Sequence, residues 1–568
     1  MKKISLGKIL LIVLFFNHTI FSEFFKPQKT KNCMVVTANE LATKVGVQIL
    51  KEGGNAIDAG VAVGFALAVT YPYAGNLGGG GFMVLHLNNG KNTTIDFREK
   101  APLSANKNMF LDDKGNYIPE LSQSGVTSVG VPGSVAGLIY ALEKYGTMPL
   151  TKVIQPAIDL AKNGFILDEF TVKSFKRALP KFSKYNSSKK IFSKNGKPFE
   201  EGDLFIQKDL AKTLEQIKTK GTDGFYKGKV AELLVKQIKE GNGYISLEDL
   251  EKYKPVEREP IYGTYRGYKI VSMPPPSSGG IALVELLNIL ENFSFGENEW
   301  GSSKYMNKLV EAMKYVYADR TYKLGDEDFY PVPKQELISK KYAKAIFNKL
   351  TKYATPSKEI LNKISGIEKE STETTHYSIY DSYGNALSVT TTINSAYGSK
   401  IVVEGAGFLL NNEMDDFSAK PGEPNQFGLL GSKANSIAPE KRMLSSMTPT
   451  IVLENEKPYL IVGSPGGSTI ITTVLQVILN VIDFKMNLQE AVNAPRFHHQ
   501  WFPDKIYLEK FSVTEDVAEN LKKMGYSLAN RNKTFRIFGS VQAIMIDNQN
   551  KIIYGATDPR RNGMAEGF

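Results

Sequence analysis

Glu373-Thr374-Thr375-His376 sets two hydroxyls and an imidazole at the start of a β-rich stretch. Taken alone this is also ordinary strand composition, because threonine is favoured there. Other segments add weight. Arg442-Met-Leu-Ser445-Ser446-Met places two hydroxyls in a short polar turn ahead of a strand. Gly463-Ser-Pro-Gly466-Gly467-Ser ends a strand and opens a helix, where unpaired backbone N–H groups are suited to holding an oxyanion. Thr390-Thr-Thr392-Ile-Asn394 supplies hydroxyls and an amide one hairpin from Thr374, and Asn411-Asn-Glu413-Met-Asp415-Asp416 supplies carboxylates at a strand end. Hydroxyls, backbone donors and carboxylates are the group types on which nucleophilic acyl transfer draws.

The elements that must position these groups change in texture near residue 370. Asn39 and Asn55 are placed to cap two apolar helices that run to Val69, with Gly53-Gly54 between them. Asn76-Leu-Gly-Gly-Gly-Gly81 allows close backbone approach but lacks the Lys-Ser/Thr of a phosphate-binding loop. Phe82–His86 and Asn92–Arg98 read as a hairpin, and residues 134–350 as mainly helical, broken at Pro274-Pro-Pro-Ser-Ser-Gly-Gly280 before a helix over Ile281–Leu290. From Thr374 onward, pairs of β-rich runs joined by polar turns recur at 376–390, 450–462 and 541–554, with a helix over Ser468–Ile482 between the last two. Helix-rich layers around hairpin-rich sheets predict a sandwich with antiparallel sheets.

Composition removes several function classes. The net charge of +11 is spread along the chain. Its densest stretch, Lys181–Lys197, includes Phe182, Tyr185 and Phe192 but is short and isolated, so it reads as a solvated loop rather than a nucleic-acid track. Cys33 is the single cysteine, which forbids an intramolecular disulfide, and nothing in the sequence marks a partner that would activate its thiol. Five scattered histidines (His18, His86, His376, His498, His499) predict no metal site. The basic start with Lys2, Lys3 and Lys8, followed by the apolar run Ile9–Phe16, describes a secretory signal peptide over 1–22. The run is short for a bilayer span, although a membrane-anchored N-terminus is the other reading, and Ile20 and Phe21 are bulky for a cleavage site after Ser22.

The chain resembles the γ-glutamyltransferase family of N-terminal nucleophile hydrolases from about Val35 to its end. The resemblance rests on Gly53-Gly-Asn-Ala-Ile-Asp-Ala59, Leu77-Gly-Gly-Gly-Gly-Phe82, Phe97-Arg-Glu99, Thr374-Thr-His-Tyr377, Leu410-Asn-Asn-Glu-Met-Asp-Asp-Phe417, Leu444-Ser-Ser-Met447, Gly463-Ser-Pro-Gly-Gly-Ser468 and Ala494-Pro-Arg-Phe-His-His499, in that order. It implies an α+β, four-layer αββα fold with an additional helix-rich region. It also implies a precursor that cuts its own Glu373–Thr374 bond into a large subunit (23–373) and a small catalytic subunit (374–568), which stay together as a heterodimer.

The chemistry that the resemblance implies is physically coherent. A threonine hydroxyl needs a base, and freeing the Thr374 amine supplies one that titrates near ~7.7–8.0. Thr392 would hydrogen-bond the nucleophile and support self-cleavage. Gly466 and Gly467 would stabilise the oxyanion. Arg98, Ser445 and Ser446 would take the substrate's α-carboxylate, and Asn394, Glu413 and Asp416 its α-ammonium. The γ-glutamyl ester on Thr374 would pass to water or to an amino acid or dipeptide acceptor, with no metal or organic cofactor. His376, His498 and His499 are then packing residues. The expected setting is outside the cytoplasm, periplasmic or secreted.

One departure stands out. Residues Pro421–Lys433 match a lid loop in which Phe427 replaces a frequent tyrosine, losing that residue's hydrogen bond to the Asn394 position; this predicts a looser lid and more hydrolysis. Three other readings remain. An acylase for glutaryl-type substrates would give Glu413 and Asp416 no evident purpose, a poly-γ-glutamate depolymerase would be obstructed by the lid, and an inactive binding protein would have no need of the assembled site. A Ser-His-Asp hydrolase would need a Gly-x-Ser-x-Gly elbow, which is absent.

Overall fold

The computed structural model describes residues 25–360, 374–529 and 538–568. The 1–22 leader and Glu373 fall outside them. Two seven-stranded sheets, every pairing antiparallel, form the centre. One runs, in spatial order, Met564–Gly567, Met34–Thr37, Thr375–Tyr380, Ala386–Thr392, Gly80–His86, Asn92–Asp96, Val256–Arg258. The other runs Gln28–Thr30, Ile552–Thr557, Gln542–Asp547, Lys457–Val462, Thr450–Glu454, Tyr268–Ser272, Ile261–Tyr265. Each sheet contains strands from both sides of residue 373. A cut before Thr374 would therefore leave two products sharing both.

Period-2 alternation distributes the strand side chains between two cores. In the first sheet Val35, Met83 and Leu85 join one apolar cluster with the helices Glu40–Lys51, Ala56–Thr70 and Ser134–Tyr145. Their neighbours Met34, Val36, Phe82 and Val84 point the other way, toward Ile451, Ile461 and Ile544 of the second sheet. Helices Gly279–Leu290, Ser303–Lys323 and Ile470–Ile482 share this second cluster. The order is helices, sheet, sheet, helices, the predicted four layers.

Local rules explain the helix starts. The Asn39 side chain accepts from the Ala42 N–H, and Asn55 and Asp58 form a reciprocal capping box. Between the sheets lie buried hydroxyls that each find a carbonyl: Ser378 Oγ donates to Gln542 O at 2.9 Å and Ser388 Oγ to Val462 O at 3.2 Å. His376 shares this layer, with its Nδ1 2.9 Å from Thr390 Oγ1 and its Nε2 3.1 Å from Ser378 Oγ. Burial pushes its pKa down to about 3, so the ring is neutral and structural.

The Lys181–Lys197 stretch is not a solvated loop. It contains the end of helix Glu169–Phe182 and all of helix Asn186–Ile191. Phe182 and Phe192 are buried and stacked, with centroids 4.3 Å apart, beside Tyr397. Ser187 and Ser188 donate to the carbonyls of Val402 and Lys400, both at 2.8 Å. The aromatics that resembled a nucleic-acid pattern are core, and the lysines between them mark the outer face.

Candidate functional site

Thr374 is buried immediately before the strand Thr375–Tyr380. That strand pairs Thr375 with Thr391; extending the register by one residue sets Thr374 opposite Thr392. Thr392 Oγ1 accepts from the Asn394 N–H at 2.8 Å. The Thr374 carbonyl accepts from Arg561 Nη1 at 2.9 Å. Two glycines admit this arrangement: a Cβ on Gly79 would stand 2.1 Å from Thr392 O, and one on Gly80 2.5 Å from Glu99 Oε2.

Gly466 and Gly467 lie in the turn leaving strand Lys457–Val462, with φ of +138° and +53°. A 3-10 turn, Gly467–Thr469, separates them from the helix proper, which begins at Ile470 rather than at Ser468. Their N–H groups are thus aimed by a glycine turn and not by regular helix geometry.

The recognition side is a buried charge cluster. Arg98 is fully buried; its Nη1 bonds Glu413, its Nη2 lies 2.5 Å from Asp416 Oδ2, and Nη1 lies 3.5 Å from Glu99 Oε2. Burial opposes the Arg98 charge, but Glu413, Asp416 and Glu99 outweigh it and raise its pKa. Burial pushes Glu99 up to about 8 despite Arg98, and raises Glu413 and Asp416 for the same reason. Asn411 builds the acidic turn, its Oδ1 accepting from the N–H groups of Gly130 and Glu413 at 2.8 and 2.9 Å. Asn394, at φ +71°, donates to Asn412 O at 2.8 Å and so sits against the same turn.

Ser445 and Ser446 flank this cluster. Ser445 Oγ accepts from the Met447 N–H at 3.1 Å, and Ser446 Oγ accepts from Arg320 Nη2 at 3.0 Å. A hydroxyl that accepts can still donate, as a carboxylate ligand requires. The lid loop 421–433 closes over Asp415 and Asp416. Its Gln426 N–H donates to Asp415 Oδ2 at 3.0 Å, its Gln426 Oε1 accepts from Ser395 Oγ at 2.7 Å, and Asn425 Nδ2 donates to Asp416 Oδ1 at 3.3 Å. Phe427 is buried in the apolar core; its N–H donates to Asn425 Oδ1 at 3.0 Å and its carbonyl accepts from Gln500 Nε2 at 3.3 Å. Gln426 and Asn425 tie the loop to the acidic turn, while residue 427 holds it through its carbonyl and its core packing rather than through a side-chain hydrogen bond.

Sequence reasoning missed Arg320 and Arg561. Arg320 is one cation among many on helix Ser303–Lys323, and only the fold shows that it faces Ser278 and Ser446. Arg561 follows another arginine near the C-terminus, with no local sign that it reaches Thr374. Glu99 lay inside a quoted motif, but its burial beside Arg98 was not legible. Among the described residues, no group of three or more His, Cys, Asp or Glu is arranged to hold a metal ion.

The family model described as gamma-glutamyltranspeptidase matches residues 42–568. The chain belongs to that family. It is 50% identical over 550 residues to the glutathione hydrolase proenzyme of Escherichia coli (strain K12), covering 96% of this chain and 93% of that protein. The crystal structure of Helicobacter pylori gamma-glutamyltranspeptidase aligns with 54% identity and a TM-score of 0.54 over 55% of this chain and 90% of that one. Cephalosporin acylase from Bacillus halodurans superposes along almost the whole chain, with a TM-score of 0.84, 26% identity, and 96% and 97% coverage. The transpeptidase family and its acylase neighbour thus share the four-layer frame.

Proposed function

We propose that this chain is a self-processing γ-glutamyltransferase and glutathione hydrolase. The precursor cuts before Thr374, and the new α-amino group serves as base for the Thr374 hydroxyl, which attacks the γ-carbonyl of a γ-glutamyl amide. Thr392, opposite Thr374 in register, supports the nucleophile, and the N–H groups of Gly466 and Gly467 take the oxyanion. The amine product leaves, and water or an amino acid or dipeptide resolves the ester.

The observation that carries the substrate assignment is the Arg98–Glu413–Asp416 cluster. It already holds one buried cation between two carboxylates. A γ-glutamyl α-carboxylate would take Arg98, with Ser445 and Ser446 donating, while the α-ammonium would take Glu413, Asp416 and Asn394. The zwitterion would replace each half of an existing ion pair, so no buried charge is left alone. A glutaryl group would engage Arg98 and leave the two carboxylates uncompensated, which argues against an acylase despite the shared frame.

The interleaved strands support a heterodimer of 23–373 and 374–568 that persists after the cut. The basic, apolar N-terminus supports export, to a periplasm or beyond. No helix among the described residues is long and apolar enough to cross a membrane. The test is anilide release from L-γ-glutamyl-p-nitroanilide beside glutaryl-p-nitroanilide, with Thr374→Ala as blank. Turnover of the first alone, lost in the variant, is expected. Preference for the glutaryl compound would overturn the substrate, and no turnover of either by cut protein would favour an inactive binding protein.

A further inference from the structure

Two hydroxyls beside the glycine turn are not absorbed by the chemistry above. Ser464 Oγ donates to Pro465 O at 2.8 Å, and Thr469 Oγ1 donates to Gly466 O at 2.8 Å. The Thr469 N–H bonds the same Gly466 carbonyl at 3.0 Å. In a planar trans peptide the C=O of one residue and the N–H of the next point in opposite directions. Holding the Pro465 carbonyl therefore fixes where the Gly466 N–H points, and holding the Gly466 carbonyl fixes the Gly467 N–H.

The turn needs such support. Glycine at positive φ has the widest conformational freedom in the chain, so two in succession are poorly held by their own backbone. The supports are themselves braced. Ser464 Oγ accepts from the Ser540 N–H at 3.0 Å. Tyr317 OH donates to Ser468 O at 2.5 Å. Thr472 Oγ1 donates to Thr469 O at 3.1 Å and lies 2.8 Å from His498 Nδ1. The space is also closed on this side: a Cβ on Gly466 would meet Thr469 Oγ1 at 2.5 Å.

We propose that Ser464 and Thr469 are positioning residues for the oxyanion site, each aiming one donor by holding the carbonyl of the same peptide group. This rests on Gly466 and Gly467 being the oxyanion donors. Neither hydroxyl touches substrate, so their effect falls on the transition state and not on ground-state binding.

Thr469→Val keeps the shape and removes the hydroxyl, and Thr469→Ser restores it. Rates are normalised to the amount of small subunit starting at Thr374, and thermal midpoints report folding. In Thr469→Val, kcat for γ-glutamyl-p-nitroanilide should fall about tenfold or more with KM nearly unchanged, and Thr469→Ser should recover most of it. Affinity for a γ-boronic acid analogue of glutamate, which becomes tetrahedral on Thr374, should fall by the same factor, while inhibition by glutamate stays constant. Ser464→Ala should repeat the pattern if Thr469→Val folds poorly. A Thr469→Val enzyme within about twofold of wild type in both kcat and boronate affinity would overturn the proposal. If wild type itself bound the boronate no better than glutamate, the oxyanion assignment would fail instead.

Discussion

The two halves of the site are built by opposite means. Around Thr374, Gly466 and Gly467 the groups are backbone amides and hydroxyls, with the Arg561 guanidinium on the Thr374 carbonyl, and orientation comes from backbone geometry braced by hydroxyls. Around Arg98 the groups are charged, buried and brought from distant segments, and each charge is held by another. A site for a developing charge must wait empty with its dipoles aimed, whereas a site for a permanent zwitterion can rest only if its own charges pair. Damage to the first half should appear in kcat, and damage to the second in KM and in stability.

Breaking the charged half should give the largest effect. Arg98→Met leaves Glu413 and Asp416 without their cation in a largely buried cluster, at a cost of about 3–5 kcal/mol of stability. Catalytic efficiency should fall by about a thousandfold, and Arg98→Lys should recover little, because a single ammonium nitrogen lacks the planar fork that places separate nitrogens on Glu413 and Asp416. Steady-state kinetics with thermal melting would check both. A lysine variant near wild type would mean that the guanidinium is structural and that the carboxylate is read elsewhere.

Glu413→Gln should act next in size. It removes one ammonium partner while keeping volume, so KM for the γ-glutamyl anilide should rise about tenfold to a hundredfold with kcat changed less. The preference over the glutaryl anilide should shrink by a similar factor. A fall in kcat alone would place Glu413 on the transition-state side and dissolve the distinction between the halves.

Buried histidines and buried carboxylates should also respond to pH in opposite senses. Burial holds His376 and His498 at about 3, below the unfolded value of about 6.5, so the unfolded chain binds more protons in between. Their contribution to stability is present above about pH 6.5 and is lost as pH falls toward 3. Burial holds Asp415 at about 6 and Glu99 at about 8, above the unfolded values of about 3.9 and 4.3. For these the folded chain binds more protons, so stability declines as pH rises through about 4 to 6 and about 4 to 8. Melting from pH 3 to 9 should show His376→Asn flattening the acid limb and Glu99→Gln the alkaline one. Equal response of both limbs to either variant would remove the contrast.

How much of this was legible follows the same division. The proposed catalytic half lies in short motifs, Thr374-Thr-His, the glycine turn and the hairpin to Thr392, but Thr-Thr-His alone is ordinary strand composition and the roles followed from the family resemblance. The layered fold was legible because period-2 strands and capped helices are short-range signals. The charged half was legible only where it sits in motifs, as with Arg98, Glu413 and Asp416. Arg320 and Arg561 reach the site through helix packing and the return of the C-terminal strand, which no local pattern encodes. The aromatic stretch at Phe182–Phe192 misled because lysines and small polar residues separate its aromatics, while the rings that bury them, such as Phe175, Phe205 and Tyr397, lie outside it.

The smallest effect should come from the lid, where sequence and structure pull apart. Loss of a tyrosine at 427 predicts a loose lid and more hydrolysis. The structure instead ties the loop through the Gln426 N–H to Asp415 and through Gln426 Oε1 to Ser395, while one of the two Asn394 side-chain N–H groups is given to Asn412 O. Phe427 is packed in the apolar core, so a new hydroxyl there must first find a partner or remain buried unpaired. Phe427→Tyr should therefore change the ratio of transfer to hydrolysis by less than about twofold, and Gln426→Ala, which removes the bond from Ser395 Oγ without emptying the core, should change it more. The comparison is made with glycylglycine as acceptor, counting anilide released against γ-glutamyl dipeptide formed. A large rise in transfer with Phe427→Tyr alone would return control of the lid to position 427 and demote the Gln426 contacts to packing.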